Sequence, residues 1–190
     1  MTRNKNAYLT GKLLLAMPSM SDPRFHKAVI FICVHDEQGA MGLVVNHDLP
    51  HLSFDGLLDQ LGIASDIHVN VSLPVMSGGP VESARGFMLH TNDFNQKDTI
   101  KIDERFSVTG TLDALADVAA GKGPENMLFI LGYAGWSAGQ LDQEIQDNAW
   151  LVVDPDPEII FAKDPEIKWE KAVSTLGFDP VMLSGDAGHA

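Results

Sequence analysis

Apolar residues along the chain fall into short runs that predict strands. Three runs occupy residues 12–17, 28–34 and 41–45. The second, A-V-I-F-I-C-V, is apolar throughout and rich in β-branched residues, as in a strand buried on both faces. The turn-like H-D-E-Q-G at 35–39 predicts that the second and third runs pair as an antiparallel hairpin. Further strands are predicted at residues 73–76, 86–90, 127–133 and 150–153.

Other segments have the 3.6-residue spacing of amphipathic helices. Ser53 is predicted to cap a helix that carries Leu57, Leu58 and Leu61 on one face and stops at Gly62. Another helix opens at Thr111 and ends at Gly121. Its predicted buried stripe is Leu112, Leu115, Ala116 and Ala119.

The last predicted helix starts with Asp164 as cap and Pro165 at its first position. Its predicted buried stripe is Trp169, Ala172, Val173 and Leu176. The D-P-D-P stretch at 154–157 is predicted to be a rigid turn. Hairpins mixed with strand–helix alternation predict an α+β fold: a mixed, largely antiparallel sheet flanked by helices. We expect a single domain over residues 1–190, with residues 1–11 as a flexible N-terminal arm.

The chain is acidic, with a net charge of −13 over 190 residues. Residues 1–27 carry five basic side chains and one acidic side chain, a charge of +4, and no Lys or Arg occurs from residue 28 to residue 84. An acidic surface repels duplex DNA. Direct DNA binding therefore stays open only through the basic arm, with Arg3, Lys5 and Lys12.

The lone Cys33 excludes an internal disulfide, and a reducing cytoplasm is the expected setting. The apolar run at 13–17 is too short for a signal peptide, and no stretch approaches the roughly 20 apolar residues of a membrane span. We therefore expect no membrane association.

A G-x-S-x-G pattern, Gly135, Ser137 and Gly139, lies between a predicted strand and a predicted helix. In this context Ser137 can be the nucleophile of a hydrolase. The histidine base would then follow it in the chain, and only His189 does, one residue from the C-terminus. Alternatively, Ser137 is the N-cap of the helix, with Gln140 completing a capping box and Trp136 and Leu141 forming a hydrophobic staple.

Two other segments hold candidate chemistry. The S-G-G-P loop at 77–80 can bring its backbone amides close to an anion, or it can be an ordinary tight turn, and His90 can lie beside it. His47 and His51 are spaced like paired metal ligands on a helix, but Pro50 argues against a helix there. We expect neither a metal nor a cofactor.

From residue 12 to residue 190 the chain resembles the AlgH/YqgE family of bacterial proteins, whose function is not established. The matching segments are A-M-P-S-M-S-D-P-R-F at 16–25, G-A-M-G-L-V-V-N at 39–46, G-G-P-V at 78–81, R-G-F-M-L-H-T at 85–91, G-Y-A-G-W-S-A-G-Q-L-D-Q-E-I at 132–145, N-A-W-L at 148–151 and A-G-H-A at 187–190. The resemblance implies one compact α+β domain whose sheet can curl toward a barrel. It also implies that the position of Ser137 need not be serine.

Family members carry the label of transcriptional regulators, a label linked to alginate control. This sequence shows no helix-turn-helix pattern, so we expect any regulatory role to be indirect. Our leading hypothesis is a cytoplasmic, non-catalytic domain that binds an unknown small molecule or a protein partner. Its predicted ligand-binding residues are Asn46, Gly78, Gly79, His90, Tyr133, Trp136, Gln140 and His189. The alternatives are a serine hydrolase using Ser137 and a DNA-binding regulator.

Overall fold

The structure, a computed structural model, describes residues 8–64, 73–110, 112–177 and 179–183. The strands in these ranges are β1 Leu13–Ala16, β2 Val29–Asp36, β3 Gly39–Val44, β4 Asp48–Ser53, β5 Pro74–Ser77, β6 Val81–Thr91, β7 Ile100–Lys101, β8 Phe106–Thr109, β9 Met127–Ser137 and β10 Trp150–Val153. The α-helices are α1 Phe54–Gln60, α2 Leu112–Ala119, α3 Gln140–Gln146, α4 Pro157–Ile160 and α5 Lys168–Ser174. The predicted α+β fold is confirmed: one domain with a curled sheet, antiparallel except where β5 runs parallel to β9.

The long strand β9 holds the sheet together because it belongs to two half-sheets. Its first residues lie between β6 and β5, while its last residues, from Ala134 to Ser137, pair with β3. The first half-sheet is β10, β1, β2, β3 and the end of β9, and the second is β7, β8, β6, the start of β9, β5 and β4. Gly132, at a φ of 75°, lies where β9 changes partners.

Three apolar clusters follow from this curl. The interior cluster fills the space inside it and includes Leu13, Phe31, Leu89, Phe106 and Trp169. The outer face of the first half-sheet packs under α3, and the outer face of the second packs under α1 and α2. Each half-sheet is therefore apolar on both of its faces.

Strand β2 confirms the clearest sequence prediction. Five consecutive residues from Val29 to Cys33 are buried, whereas Val34, the last residue of the predicted run, is exposed. Val29, Phe31 and Cys33 join the interior cluster, while Ile30 and Ile32 join the cluster under α3. The predicted hairpin of β2 with β3 is also confirmed, with Ile30 opposite Val44.

Two predicted helices differ from the structure in their first residue or in the residues that they bury. Helix α2 buries Ala114, Leu115, Val118 and Ala119, whereas Leu112 and Ala116 of the predicted stripe are exposed. Helix α5 begins at Lys168 and not at Pro165, because Asp164 closes a separate turn by accepting the N–H of Glu166 at 2.9 Å. Leu176 of its predicted stripe is exposed. The predicted turn at 154–157 instead leads into α4, which Asp156 caps.

Three strands went unpredicted, and each has a weak local pattern. Strand β4 contains Pro50 and is largely exposed, and β7 has only two residues. Strand β8, F-S-V-T, buries its two polar residues as well as its apolar ones, so no alternation marks its buried face.

Residues 8–11 of the predicted flexible arm are held against β2. The Leu9 N–H donates to His35 Nδ1 at 3.1 Å, and the Gly11 N–H donates to the Ile32 carbonyl at 2.7 Å. The Tyr8 ring meets the His35 ring edge-on at 5.2 Å. Residues 1–7, including Arg3 and Lys5, lie outside the described residues, as do Thr111 and His189. No helix among the described residues is long and apolar enough to cross a bilayer.

Candidate functional site

The glycine pair Gly78–Gly79 lies where two backbones touch. The Gly78 N–H donates to the Leu131 carbonyl at 2.7 Å, and a Cβ added to Gly78 would lie 2.2 Å from the Gly132 carbonyl oxygen. A Cβ on Gly79 would lie 2.2 Å from the carbonyl carbon of Tyr133. The glycines are therefore required for the loop to pack directly on β9.

This packing uses the amides that an anion-binding loop would need. The Ser77 N–H donates to the His47 carbonyl at 2.7 Å, and the Gly78 N–H is held by Leu131. The loop therefore does not offer a row of free N–H groups. Any anion here has to be recognised mainly by side chains around the loop.

Such side chains line a cleft beside the loop, with a volume of about 120 Å³. Its lining residues are Arg24, Val44, His47, Ser77, Gly79 and Pro80. We call it the Arg24 cleft. It brings together a cation, an imidazole and a hydroxyl from three separate parts of the chain.

Arg24 is oriented by Asp22, which precedes the 3-10 turn Pro23–Phe25. The carboxylate accepts from Arg24 Nε at 3.0 Å and from Nη2 at 2.7 Å. This hydrogen-bonded pair raises the pKa of Arg24 and lowers the pKa of Asp22. Asp22 thus occupies one edge of the guanidinium, while Nη1 has no hydrogen-bond partner among the described residues.

His47 lines the cleft, and one of its ring nitrogens bonds to backbone. Its Nε2 donates to the His26 carbonyl at 2.9 Å, since a carbonyl only accepts. Burial, the largest effect, lowers the pKa of His47 despite that bond, so the ring is neutral at pH 7 and its Nδ1 is an acceptor.

Asn46 positions the neighbouring backbone. Its Oδ1 accepts the Val29 N–H at 2.8 Å, and its Nδ2 donates to the Lys27 carbonyl at 2.7 Å. These bonds tie the end of β3 to the start of β2. Asn46 therefore holds the segment that carries His47, and its own amide is used by the backbone.

The prediction that Ser137 caps the helix is wrong. Ser137 is the last residue of β9 and pairs with Gly39 of β3, and the N-cap of α3 is Gly139 at a φ of 73°. Gln140 still reaches back, and its Oε1 accepts the Ser137 N–H at 3.0 Å and the Ser137 hydroxyl at 3.2 Å. Pairing with β3 keeps Ser137 in the strand, and a turn at residues 138–139 delays the start of the helix to Gln140.

The hydrolase alternative lacks a base at Ser137. The Ser137 hydroxyl bonds to Gln140, and no histidine among the described residues contacts it. His35, which lies 3.9 Å from Asp142, is opposite Ala40, which in turn is opposite Trp136. The backbones of β2 and β9 are therefore two strand spacings apart, roughly 10 Å, and no hydrogen bond joins His35 to Ser137 among the described residues.

Glu144 of α3 accepts hydrogen bonds from two tryptophan side chains close to Ser137 and Gln140. Its Oε2 accepts from Trp136 Nε1 at 3.0 Å and from Trp150 Nε1 at 2.8 Å, and its Oε1 accepts from Gln140 at 2.9 Å. Both tryptophans are buried, with their rings edge-to-face. Trp136 and Gln140, both predicted to bind ligand, are thus hydrogen-bonded to Glu144, Trp136 as a buried residue and Gln140 as an exposed one.

His90 lies apart from the Arg24 cleft. It is opposite Met127 on β9, whereas the glycine pair packs against Gly132 and Tyr133, roughly 20 Å away along the strand. Its ring is fully buried, with Nδ1 donating to the Thr91 carbonyl at 2.7 Å and Nε2 accepting from the Thr109 hydroxyl at 2.8 Å. Burial lowers its pKa.

Tyr133 contacts Gly79 through its backbone and does not line the Arg24 cleft. Desolvation, together with the neighbouring Glu82 carboxylate, raises the pKa of its hydroxyl. Arg85 bonds to the same carboxylate at 3.2 Å. Gly78, Gly79 and Tyr133 thus lie at the contact between the loop and β9, which we call the glycine seam. The other described site residues lie elsewhere: Asn46 on the backbone of β2, Trp136 and Gln140 in the Glu144 network, and His90 in the interior. Of the predicted residues that the structure describes, only Gly79 lines the cleft.

Arg24 and Lys168 were missed by sequence reasoning. Arg24 belongs to the D-P-R-F segment, where a charged side chain inside a family-matching loop was the available signal. Lys168 is fully buried, and its Nζ donates to the carbonyls of Val45 at 2.8 Å and Ile160 at 2.7 Å. Burial lowers its pKa to about 8. No pattern in the sequence marks it as buried.

No group of three His, Cys, Asp or Glu side chains in the described part of the chain is placed to hold a metal ion. His47 bonds to backbone, and His51 is exposed on β4. Cys33 is buried, which raises the pKa of its thiol to about 12.

Comparisons with known proteins agree over nearly the whole chain. The AlgH-like family model matches residues 13–181. A UPF0301 protein of Jannaschia sp. is 52% identical over 184 residues, covering 96% of this chain and 95% of that protein. A UPF0301 protein of Ruegeria pomeroyi is 50% identical, covering 96% and 99%.

Solved structures give the same result. The solution structure of the AlgH protein from Pseudomonas aeruginosa has a TM-score of 0.79 and 40% identity, covering 100% of both chains. A crystal structure of a protein from Corynebacterium diphtheriae is similar in fold, with a TM-score of 0.72 at 21% identity, covering 97% of this chain and 93% of that one. The chain therefore belongs to the AlgH-like family.

Proposed function

We propose that this protein is a non-catalytic domain that binds a ligand through an anionic group held in the Arg24 cleft. The observation that carries the proposal is the orientation of Arg24. Asp22 fixes the guanidinium by its Nε and Nη2 edge and leaves Nη1 for a ligand, beside Ser77 and His47. Arginine in this geometry is suited to phosphate and carboxylate oxygens.

The size and polarity of the cleft limit what it holds. A volume of about 120 Å³ suits one phosphate or carboxylate group and leaves the rest of a larger ligand outside. Because the neutral His47 offers an acceptor, the best-matched group also carries a hydrogen-bond donor, as a phosphate monoanion does. Protonation of His47 would turn that acceptor into a donor and favour a dianion.

Regulation, under this proposal, acts through ligand occupancy or a protein partner and not through DNA contact. Lys12, the described basic residue of the proposed DNA-binding arm, is paired with Asp154. The net charge of −13 opposes binding to a polyanion. We also propose a cytoplasmic location, since the single cysteine of the chain is a buried thiol.

The test is an NMR titration of the full chain with inorganic phosphate, with sodium acetate and sodium chloride as comparison salts. Phosphate is expected to shift the Gly79 amide and the His47 ring signals. Arg24→Gln should weaken phosphate binding by at least about tenfold, because it removes a charge-assisted hydrogen bond.

Arg105→Gln is the matched control. Arg105 is also exposed and also lies over a phenylalanine ring, at 5.4 Å against 5.9 Å for Arg24, but it is not part of the cleft. Equal phosphate affinity in the Arg24→Gln and Arg105→Gln proteins would refute the proposal.

Thermal-shift screening against phosphorylated and carboxylated metabolites then identifies the ligand. A ligand at 100 times its Kd adds about 2.7 kcal/mol to the free energy of unfolding. For a domain of this size the melting temperature rises by roughly 5–10 °C. The shift should be lost in Arg24→Gln and kept in Arg105→Gln.

A further inference from the structure

An apolar groove opens on the outer face of the second half-sheet, between α1 and α2. Its lining includes Leu57 and Leu61 of α1, Leu112 and Leu115 of α2, and Met88 and Phe129 of the sheet beneath. Leu61 is 44% exposed and Leu112 is 60% exposed, so each side of the groove has one exposed apolar side chain. This groove shares no lining residue with the Arg24 cleft.

The volume of the groove is about 140 Å³. An apolar cavity of about 150 Å³ holds one benzene-sized group. The groove therefore fits a single large apolar side chain and is too small to enclose a lipid chain. The two exposed leucines lie where neighbouring side chains of an inserted segment would pack.

The charges on the two helices have one sign. Helix α1 carries Asp55 and Asp59, helix α2 carries Asp113 and Asp117, and neither helix contains Lys or Arg. At 3.6 residues per turn these carboxylates lie on the helix faces that turn away from the groove, so they flank it without entering it. Negative charge on both sides of an apolar groove favours a partner whose polar face is positively charged.

We infer that this groove docks a basic amphipathic helix of a protein partner, anchored by one large apolar side chain between Leu61 and Leu112. A helix fits better than an extended strand, because strand addition needs a free sheet edge and this floor is the face of the sheet. A second copy of this acidic groove would meet like charge.

Fluorescence anisotropy of the full chain with a labelled synthetic peptide tests the inference. The peptide is an amphipathic helix of about 15 residues, with Lys on its polar face and one Phe in a leucine stripe. One matched peptide replaces the Phe by Ala, and another replaces each Lys by Glu. The Phe peptide should bind at least about tenfold more tightly than the Ala peptide. The Glu peptide should not bind.

Leu112→Glu should weaken binding of the Phe peptide by at least about tenfold, because it replaces an apolar contact at the edge of the groove by a charged side chain. The side chain is exposed, so the variant should keep its circular dichroism spectrum. Met182→Glu, at a position 77% exposed outside the groove, is the matched control and should bind normally. Raising the salt from about 0.01 M to 0.1 M should weaken binding, because the Debye length falls from about 30 Å to 10 Å.

Several outcomes would overturn the inference. Equal affinity for the Phe and Ala peptides would show charge attraction without a pocket. Equal binding by Leu112→Glu and Met182→Glu would show that the peptide binds outside the groove. If no binding were detected at about 1 mM peptide, which is the weak end of specific affinity, the groove would not be a docking site for such a helix. Self-association that Leu112→Glu abolishes would assign the groove to a second copy of the chain.

Discussion

The outer faces of the two half-sheets are covered in different ways. Helix α3 closes the first face, where Glu144 accepts both buried indole N–H groups and Leu141 is fully packed. Helices α1 and α2 cover the second face incompletely and leave Leu61 and Leu112 exposed beside a groove. A face whose polar and apolar groups are satisfied within the chain serves folding. The face that leaves apolar groups exposed between its helices is the one that we propose for binding a partner.

The two faces meet at the glycine seam, where β9 passes from one half-sheet to the other. Gly78 and Gly79 press against Gly132 and Tyr133 there, and the Arg24 cleft opens beside them. The packing of the loop on β9, at the point where the two half-sheets meet, therefore depends on backbone contacts that only glycine permits.

Gly79→Ala is expected to have the largest effect, more than about 4 kcal/mol in the free energy of unfolding, or no folded protein at all. The added Cβ would lie within 2.4 Å of three backbone atoms of Tyr133 and Ala134, which have no low-cost way to move. Urea unfolding followed by tryptophan fluorescence measures the effect.

Gly139→Ala is the control for backbone conformation. Gly139 also has a positive φ, 73°, but nothing lies within 4 Å of an added Cβ. Its cost should be only about 1–2 kcal/mol, from the left-handed conformation. If the two variants were equally stable, the seam would not be the close contact described here.

The interior between the two half-sheets holds a fully buried amine, that of Lys168. Lys168 has an amine hydrogen-bonded to two carbonyls and no carboxylate among its hydrogen-bond or ion-pair partners in the described residues. Burial lowers its pKa from the ordinary 10.5 to about 8. Between those pH values the folded protein has lost the proton that the unfolded chain still binds. The free energy of unfolding should therefore rise with pH in this window, by at most about 3 kcal/mol.

Lys168→Met should remove this rise. At pH 7 it should cost about 1–3 kcal/mol, because methionine fills the same space but leaves the Val45 and Ile160 carbonyls without this donor. The measurement is the stability difference between the two proteins from pH 7 to pH 10.5. Taking the difference cancels the opposing effect of the buried Cys33, whose raised pKa lowers stability at high pH. A difference independent of pH over this range would show that burial does not lower the pKa of Lys168.

Much of the fold could be predicted because its signals are local. The apolar run of β2 and the serine cap of α1 are complete within a few residues, and both were predicted correctly. Ser137 and Gln140 fit a capping box equally well, yet Ser137 lies in a strand. The deciding contact is with Gly39, far away in the chain, and no local pattern contains it.

The candidate site was harder to predict for the same reason. The glycine pair was recognised as a close approach, but the partner it approaches is backbone and not a ligand. The Arg24 cleft combines residues from a 3-10 turn, the end of β3 and the loop after β5. Their proximity follows only from the strand order. His90 was placed near the glycine pair because both are close in sequence, whereas the length of β6 separates them.

The smallest of these effects tests how α3 closes its face. Glu144→Ala leaves the indole N–H groups of Trp136 and Trp150 without their acceptor and should cost about 2 kcal/mol. Glu144→Gln keeps an oxygen acceptor and should cost less than about 1 kcal/mol. Asp113→Asn, on the exposed face of α2, should change stability by less than about 0.5 kcal/mol. Urea unfolding measures all three, and the two indole N–H signals in NMR report the lost bonds directly.

Equal costs for Glu144→Ala and Asp113→Asn would mean that the α3 face is held by apolar packing alone, and the contrast between the two faces would then rest on Leu141 and its neighbours.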